Sequence, residues 1–259
     1  MAATVRYANS GGINVRDNPS GNVVRALNAG DLMADNSDAP GVKALNGTSY
    51  TWIKVSYYAS NVPSTDPCAT GLGWVARETT TVVSTATPAK SAVVAANRVL
   101  AQNEMLVNAR YIYNYLRSLQ APWSKNAIAA MLGNMEREST INPDRWEGGV
   151  VNASNGYGLV QWTPSTKYTN WLPSGADKKD IDKQLERILF EVANGLQWQS
   201  NKHSPTMSFA SFTTSNSGVD ALAEYFLRCY EQPNITSTEI LLRKGNALKW
   251  SFFMILLQG

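Results

Sequence analysis

Between Met131 and Thr163 the chain gathers side chains suited to acid–base chemistry. Glu136 and Glu138 close a helical pattern, Ser139 follows at once, and Asn142-Pro143 lies just beyond. Gly158-Leu159-Val160-Gln161 then leads into Trp162-Thr163-Pro164. A carboxyl serves as a general acid when its surroundings keep it protonated near neutral pH. Glu136 and Glu138 lie at opposite edges of the apolar stripe Ile128, Met131, Leu132 and Met135, so periodicity does not choose between them. Position favours Glu138, in the last turn, where the helix dipole disfavours an ionised carboxylate. The plainer alternative is a solvated charge at a helix end.

Other chemistries are poorly supplied. Cys68 and Cys229 are the two cysteines; they stand far apart and form neither a disulfide framework nor a Cys-x-x-Cys pair. One histidine, His203, cannot build a His-rich metal cluster, so no metal or cofactor is expected. A Cys229–His203 nucleophilic pair is formally available. Cys229, within Tyr225-Phe226-Leu227-Arg228-Cys229-Tyr230, reads instead as a buried structural thiol. The net charge over 259 residues is +3, with no dense Lys/Arg run, which argues against a nucleic-acid partner. The N-terminus has no apolar signal core, and the run Trp250–Leu257, broken by Ser251, is too short to span a bilayer. The expectation is a protein with no membrane partner, delivered or released by something else.

The elements that must position Glu138 and Gln161 read as helices. Ser124 is a good N-cap for a helix Lys125–Glu138. Apolar spacing predicts further helices over Val93–Leu119, Lys178–Trp198, Ser217–Tyr230 and Ile240–Leu257, with Asn103 a possible break in the first. Asn155-Gly156 is a tight-turn signal that places the Gly158–Gln161 segment on a small hairpin. The first third differs: Thr4–Tyr7, Ile13–Arg16, Val23–Leu27, Tyr50–Tyr57 and Gly73–Arg77 read as short strands, with extended loops over Asn36–Ser49 and Ala59–Leu72. Strands this short and dense argue a small barrel or sandwich. A Thr/Ser/Ala-rich stretch from Val83 reads as a linker, giving domains 1–82 and 99–259 joined by 83–98.

The Gly133-Asn134-Met135-x-x-Glu138-Ser139 opening and the Tyr157-Gly158-Leu159-x-Gln161-Trp162-Thr163 element resemble the phage tail lysozyme family of the lysozyme-like superfamily. Phe226 … Tyr230-Glu231-x-Pro233 is similar to that family's ending, so the resemblance runs from Asn108 to the C-terminus. Ile13-Asn14-Val15-Arg16 … Gly30-Asp31 … Trp52-x-Lys54-Val55 … Gly73-Trp74-Val75 resembles a bacterial SH3-like domain. Together they imply an N-terminal all-β SH3-like barrel and a C-terminal mainly α lysozyme-like (α+β) domain.

The resemblance implies a phage tail-associated peptidoglycan hydrolase, a muramidase cutting the MurNAc–GlcNAc β-1,4 bond to open the host wall. It would reside in the virion tail, with peptidoglycan and other tail proteins as partners. Glu138 takes the general-acid position, and Ser139, Tyr157, Gly158, Gln161 and Trp162 the substrate-binding ones. Gln161 can donate to and accept from hydroxyl or N-acetyl groups without competing for the proton. A second carboxylate about 5 Å away implies retention, and one about 6.5–9.5 Å away implies inversion. Glu136, Asp144, Glu147 and Glu231 are the candidates, Glu231 reading as a structural partner. Glu147, on a loop with Gly148-Gly149, is the one taken forward. Tyr57 and Tyr58 are the wall-binding candidates of the first domain, because adjacent strand residues cannot both face one core; Trp52 and Trp74 are read as its core. The same motifs fit a lysis-stage endolysin or a lytic transglycosylase. A non-enzymatic tail component retaining the fold is the other class.

Overall fold

Short alternating runs become eight strands in the computed structural model, which describes residues 4–36, 41–59, 69–84, 86–233 and 235–256. They are β1 Thr4–Ala8, β2 Ile13–Arg16, β3 Val23–Leu27, β4 Leu32–Asp35, β5 Gly41–Leu45, β6 Thr48–Ala59, β7 Ala69–Ala76 and β8 Thr80–Val82. The sheet is antiparallel, in the order β3-β2-β7-β6-β4-β1-β8, with β5 paired to β6 off that path. β6 serves three neighbours because it is long. Thr48–Trp52 pairs with β5 and Val55–Tyr57 with β4, while Trp52–Ala59 pairs with β7.

Two expected loops contain strands instead: β5 lies within Asn36–Ser49, and β7 begins within Ala59–Leu72. Asn46-Gly47, both in the left-handed region, form the two-residue connection between β5 and β6. That pair is a strong hairpin signal between alternating segments. β8 is a further strand beyond the expected last one.

Ile13, Val15, Leu27, Met33, Ile53 and Tyr57 form the core of this unit. Trp52 is buried as expected, and Trp74 is half-buried. Tyr57 and Tyr58 are 8% and 2% exposed, so neither ring is open to a ligand. Adjacent strand residues point to opposite faces. Tyr57 does face the core, but the opposite face is covered too, with Phe252 6.5 Å from the Tyr58 ring.

The chain divides into two units, Met1–Ala86 with Ser251–Gly259, and Thr87–Trp250. The second is helical: α1 Gln102–Arg117, α2 Lys125–Ser139, α3 Thr166–Thr169, α4 Ile181–Asn194, α5 Phe209–Thr214 and α6 Val219–Phe226. α7, Ser237–Leu256, supplies its remaining helix, with the residues from Ser251 belonging to the first unit. The expected helix over Val93–Leu119 starts only at Gln102. Residues 93–101 run without helix because side-chain amides take up their backbone groups. Asn108 bonds both N and O of Val94, and Asn142 bonds Ala96 and Arg98. Leu257, the expected end of the last helix, and Cys68 lie outside the described residues.

Ser124 caps α2 by accepting from Ala127 N at 3.0 Å. Every residue from Ala127 to Met135 is buried, a helix covered all round rather than along one stripe. Small residues permit that. A Cβ on Gly133 would lie 2.5 Å from Ala247 N and 2.7 Å from Ala247 Cα, both backbone atoms of α7. Gly133→Ala is therefore expected to destabilise by about 1–3 kcal/mol through overpacking. That outweighs the gain of about 1 kcal/mol in helix propensity. Urea denaturation measures it, and a neutral or stabilising change would show that α7 gives way.

Candidate active site

α2 ends at Ser139 because Thr140 and Ile141 both turn left-handed, at φ 58° and 55°. Ser139 is buried; its Oγ donates to Leu159 O at 2.9 Å and accepts from Asn142 N at 3.2 Å. The serine thus ties the helix end to the Gly158–Gln161 segment. That segment is not a regular hairpin on Asn155-Gly156. It is a four-residue turn closed by Tyr157 pairing with Trp162, with N–H···O bonds of 3.3 and 3.1 Å. Gly158 sits at φ 82°, and a Cβ there would meet Gln184 Oε1 at 2.6 Å. Gln184 needs that closeness, since Oε1 accepts from Leu159 N while Nε2 donates to Pro143 O and Lys178 O.

These bonds bring together residues distant in sequence. A cleft of ≈ 360 Å³ is lined by Glu138, Glu147, Gln161 and Glu231, with Arg145 and Lys167 among the other walls. Lys167, Gln197 and Glu231 also line an adjoining pocket that continues to Gln232. Glu138 is partly exposed, and Arg243 Nη2 donates to its Oε1 at 2.5 Å. Arg243, nearly buried on α7, also donates to Asn134 Oδ1 at 3.1 Å and lies 3.5 Å from Glu239. Glu136, the other edge of the stripe, is bound by Lys249 and Trp250 Nε1 and does not line the cleft. Asp144 accepts from Tyr157 OH. Glu147 is exposed, its Oε2 accepting from Gly156 N at 2.9 Å.

Of the expected substrate-binding residues, Gln161 lines the cleft, while Ser139, Tyr157 and Trp162 are buried beneath it. Trp162 stacks on Tyr168 at 4.8 Å, and Tyr157 packs against Trp146 at 4.6 Å. They support the turn and offer no face to a sugar. Gly158 is a conformational requirement of the turn, not a ligand contact. Gln161 itself, at φ 49°, commits its NH₂ to Arg145 O and Gly158 O, leaving its carbonyl oxygen as the group to offer. It therefore accepts and does not donate, unlike the expected two-way amide.

Glu191 of α4, 1% exposed, joins two walls of the cleft. Its Oε1 accepts from Trp162 Nε1 at 2.9 Å and Arg187 Nε at 3.0 Å, and its Oε2 from Tyr230 OH at 2.5 Å. Trp162 follows Gln161, and Tyr230 precedes Glu231. Burial lifts Glu191 above its ordinary value, against the pull of Tyr230, Arg187 and Trp162. Sequence gave no signal for Arg243, Gln184 or Glu191, because each acts through a contact tens of residues away.

The alternative nucleophile is dismissed by its surroundings. Cys229 is fully buried, and burial pushes its thiol up to about 11, where it is a poor nucleophile at neutral pH. His203 packs edge-on against Tyr225.

Two comparisons bear on this arrangement. Morphogenesis protein 1 of Bacillus phage B103 is 50% identical over 139 residues, which cover 53% of this chain and 37% of that protein. The chain thus spans well under half the length of that relative. The family model described as phage tail lysozyme matches residues 107–254, more than half of the chain, including Glu138, Glu147, Gln161 and Glu231. The chain with this cleft at the end of α2 belongs to the phage tail lysozyme family.

Proposed function

We propose that the chain is a phage tail-associated peptidoglycan hydrolase that cuts the MurNAc–GlcNAc β-1,4 bond. The observation that carries this reading is the convergence of Glu138, Glu147 and Gln161 on one cleft. Glu138 is the general acid to the leaving oxygen. Glu147 is the second carboxylate, steadying the positive charge of the oxocarbenium-like transition state or activating water. The Gln161 carbonyl oxygen accepts from an N-acetyl N–H or a hydroxyl. The N-terminal sheet is an SH3-like module that holds the wall, through residues other than the buried Tyr57 and Tyr58. Peptidoglycan and neighbouring tail proteins are the partners, and the virion tail is the setting.

Digestion of purified Gram-positive and Gram-negative peptidoglycan, with products read by mass, tests this. New reducing ends are expected. Anhydro ends would make the protein a lytic transglycosylase. Binding without cleavage of either wall would leave a structural tail component. Glu147→Gln is expected to lower kcat by about 10²-fold with little change in KM, a loss at the low end for a positioned carboxylate. Unchanged kcat would remove Glu147 from the chemistry.

A further inference from the structure

Glu231 has no part in the reaction described above, yet its setting is unusual. It lies at the end of a π-helical turn, Leu227–Glu231, that interrupts the continuation of α6. Such turns recur at functional sites. Gln232 follows at φ 52°, a left-handed conformation that closes the turn. Glu231 lines both the main cleft and the adjoining pocket. Its Oε1 is buried without a hydrogen-bond partner among the described residues. Buried carboxyl oxygens are normally satisfied, and exceptions call for an explanation.

The charges around Glu231 supply one. Glu138 of α2 and Glu191 of α4 are like charges, and Arg243 of α7 is the opposing one. Glu147, Arg145 and Lys167 face the same cleft. Arg243 already holds Glu138 and sits beside Glu239, so a single guanidinium serves several carboxylates. Burial, then the Glu138 charge, hold the Glu231 carboxyl well above its ordinary value.

We infer that Glu231 is a positioning residue for the general acid, sharing a single proton with Glu138 in the cleft. This rests on the glycan-cleaving reading for its consequence, not for its existence. In the empty cleft Arg243 donates to Glu138, and the proton rests on Glu231, whose buried Oε1 has no donor among the described residues to steady a charge. The proton exchanges through cleft water, giving ionised Glu231 and protonated Glu138. Glu138 then passes that proton to the glycosidic oxygen as the C–O bond breaks and its electron pair goes to that oxygen. The water that replaces the leaving group returns one proton to the pair. The Glu138 charge helps set where Glu231 gives up its proton, and the alkaline limb of activity follows that release.

The test combines titration and kinetics. Glutamate carboxyl carbons, labelled with ¹³C, are followed by NMR against pH in the wild type and in Glu138→Gln, without substrate. Glu191 and Glu231 are both expected above the other carboxyls, and the one that falls in Glu138→Gln, when the like charge is removed, is Glu231. In Glu231→Gln that signal disappears, and the alkaline limb of kcat/KM moves to lower pH. A purely structural glutamate would lower stability without moving the limb.

Stability supplies a further sign. A raised carboxyl value gives stability that is full below about 4.5, the ordinary value, and is lost as pH rises through the raised one. Glu231→Gln is therefore expected to melt above the wild type at alkaline pH. Should Glu231→Gln not fold, the two titrations of the wild type and Glu138→Gln decide the matter. No high-titrating carboxyl that responds to Glu138→Gln, or an unmoved limb in a folded Glu231→Gln, overturns the inference. A wild type that cleaves nothing but shows the coupled carboxyl overturns the glycan-cleaving reading and upholds the proton pair.

Discussion

Replacing Glu138 with glutamine is expected to lower the turnover of peptidoglycan by about 10³-fold, within the range that positioned acid catalysis contributes. Glutamine has the shape of glutamate and can still accept from Arg243 Nη2 through its carbonyl oxygen. It has no proton to give to a leaving alkoxide. KM should stay near the wild-type value, because an amide can still donate a hydrogen bond to the glycosidic oxygen. Arg243 keeps Asn134 and Glu239, so the melting temperature should change little. Glu136→Gln is the matched control. Glu136 holds Lys249 and Trp250 away from the cleft, so that variant should lose stability and keep turnover. Steady-state kinetics on purified walls, with thermal melts of both variants, measures the pair of effects. Full turnover by Glu138→Gln would end its role as the acid.

The second large effect is expected at Glu191, which touches no substrate. Glu191→Ala leaves Trp162 Nε1, Tyr230 OH and Arg187 Nε without their acceptor in a buried site. Removing one partner of a buried charged network costs about 3–5 kcal/mol. That is a large share of the stability of an ordinary domain. Glu191→Gln should cost far less, because its carbonyl oxygen still accepts from Trp162 and Arg187, and the tyrosine hydroxyl can turn to accept from the new NH₂.

The pH dependence separates geometry from charge. Burial, the leading influence, raises Glu191 above its ordinary value, so its contribution is full below about 4.5 and is lost as pH rises through the raised value. Glu191→Gln should lack that decline. Denaturant titrations of the three proteins at acidic and neutral pH measure this. An alanine variant as stable as the wild type would mean that the network contributes nothing net. Turnover should fall with stability in Glu191→Ala, because Trp162 fixes the turn bearing Gln161 and Tyr230 precedes Glu231.

Local chemistry carried much of the fold. Ser124 caps α2 as its side chain dictates, because a serine oxygen satisfies the free N–H of Ala127 whatever packs outside. The alternating Ile13–Arg16 run forms β2, and the helical spacings past Lys125 all lie within or around observed helices. Errors arose where a tertiary partner competes. The apolar spacing from Val93 is helical in pattern, but Asn108 and Asn142 take its backbone groups first. Tyr57 and Tyr58 alternate as strand residues must, yet alternation reports only which face a ring takes, not whether that face is covered.

The site divides along the same line. The sequence by itself picked out Glu138 and Gln161 through the phage tail lysozyme motifs that hold them, the helix-end position favouring Glu138 only slightly. It could not rank Glu136 against Glu138 on periodicity, or Glu147 against Glu231, since spacing along a chain carries no distance across a cleft. Only the tertiary structure decided that Lys249 and Trp250 hold Glu136, that Arg243 holds Glu138, and that Glu231 keeps a buried oxygen without a partner among the described residues. It also decided that Ser139, Tyr157 and Trp162 support the turn from below. The reason is physical: a side chain's type sets what it can do, while burial and the charges packed around it from other elements set what it does.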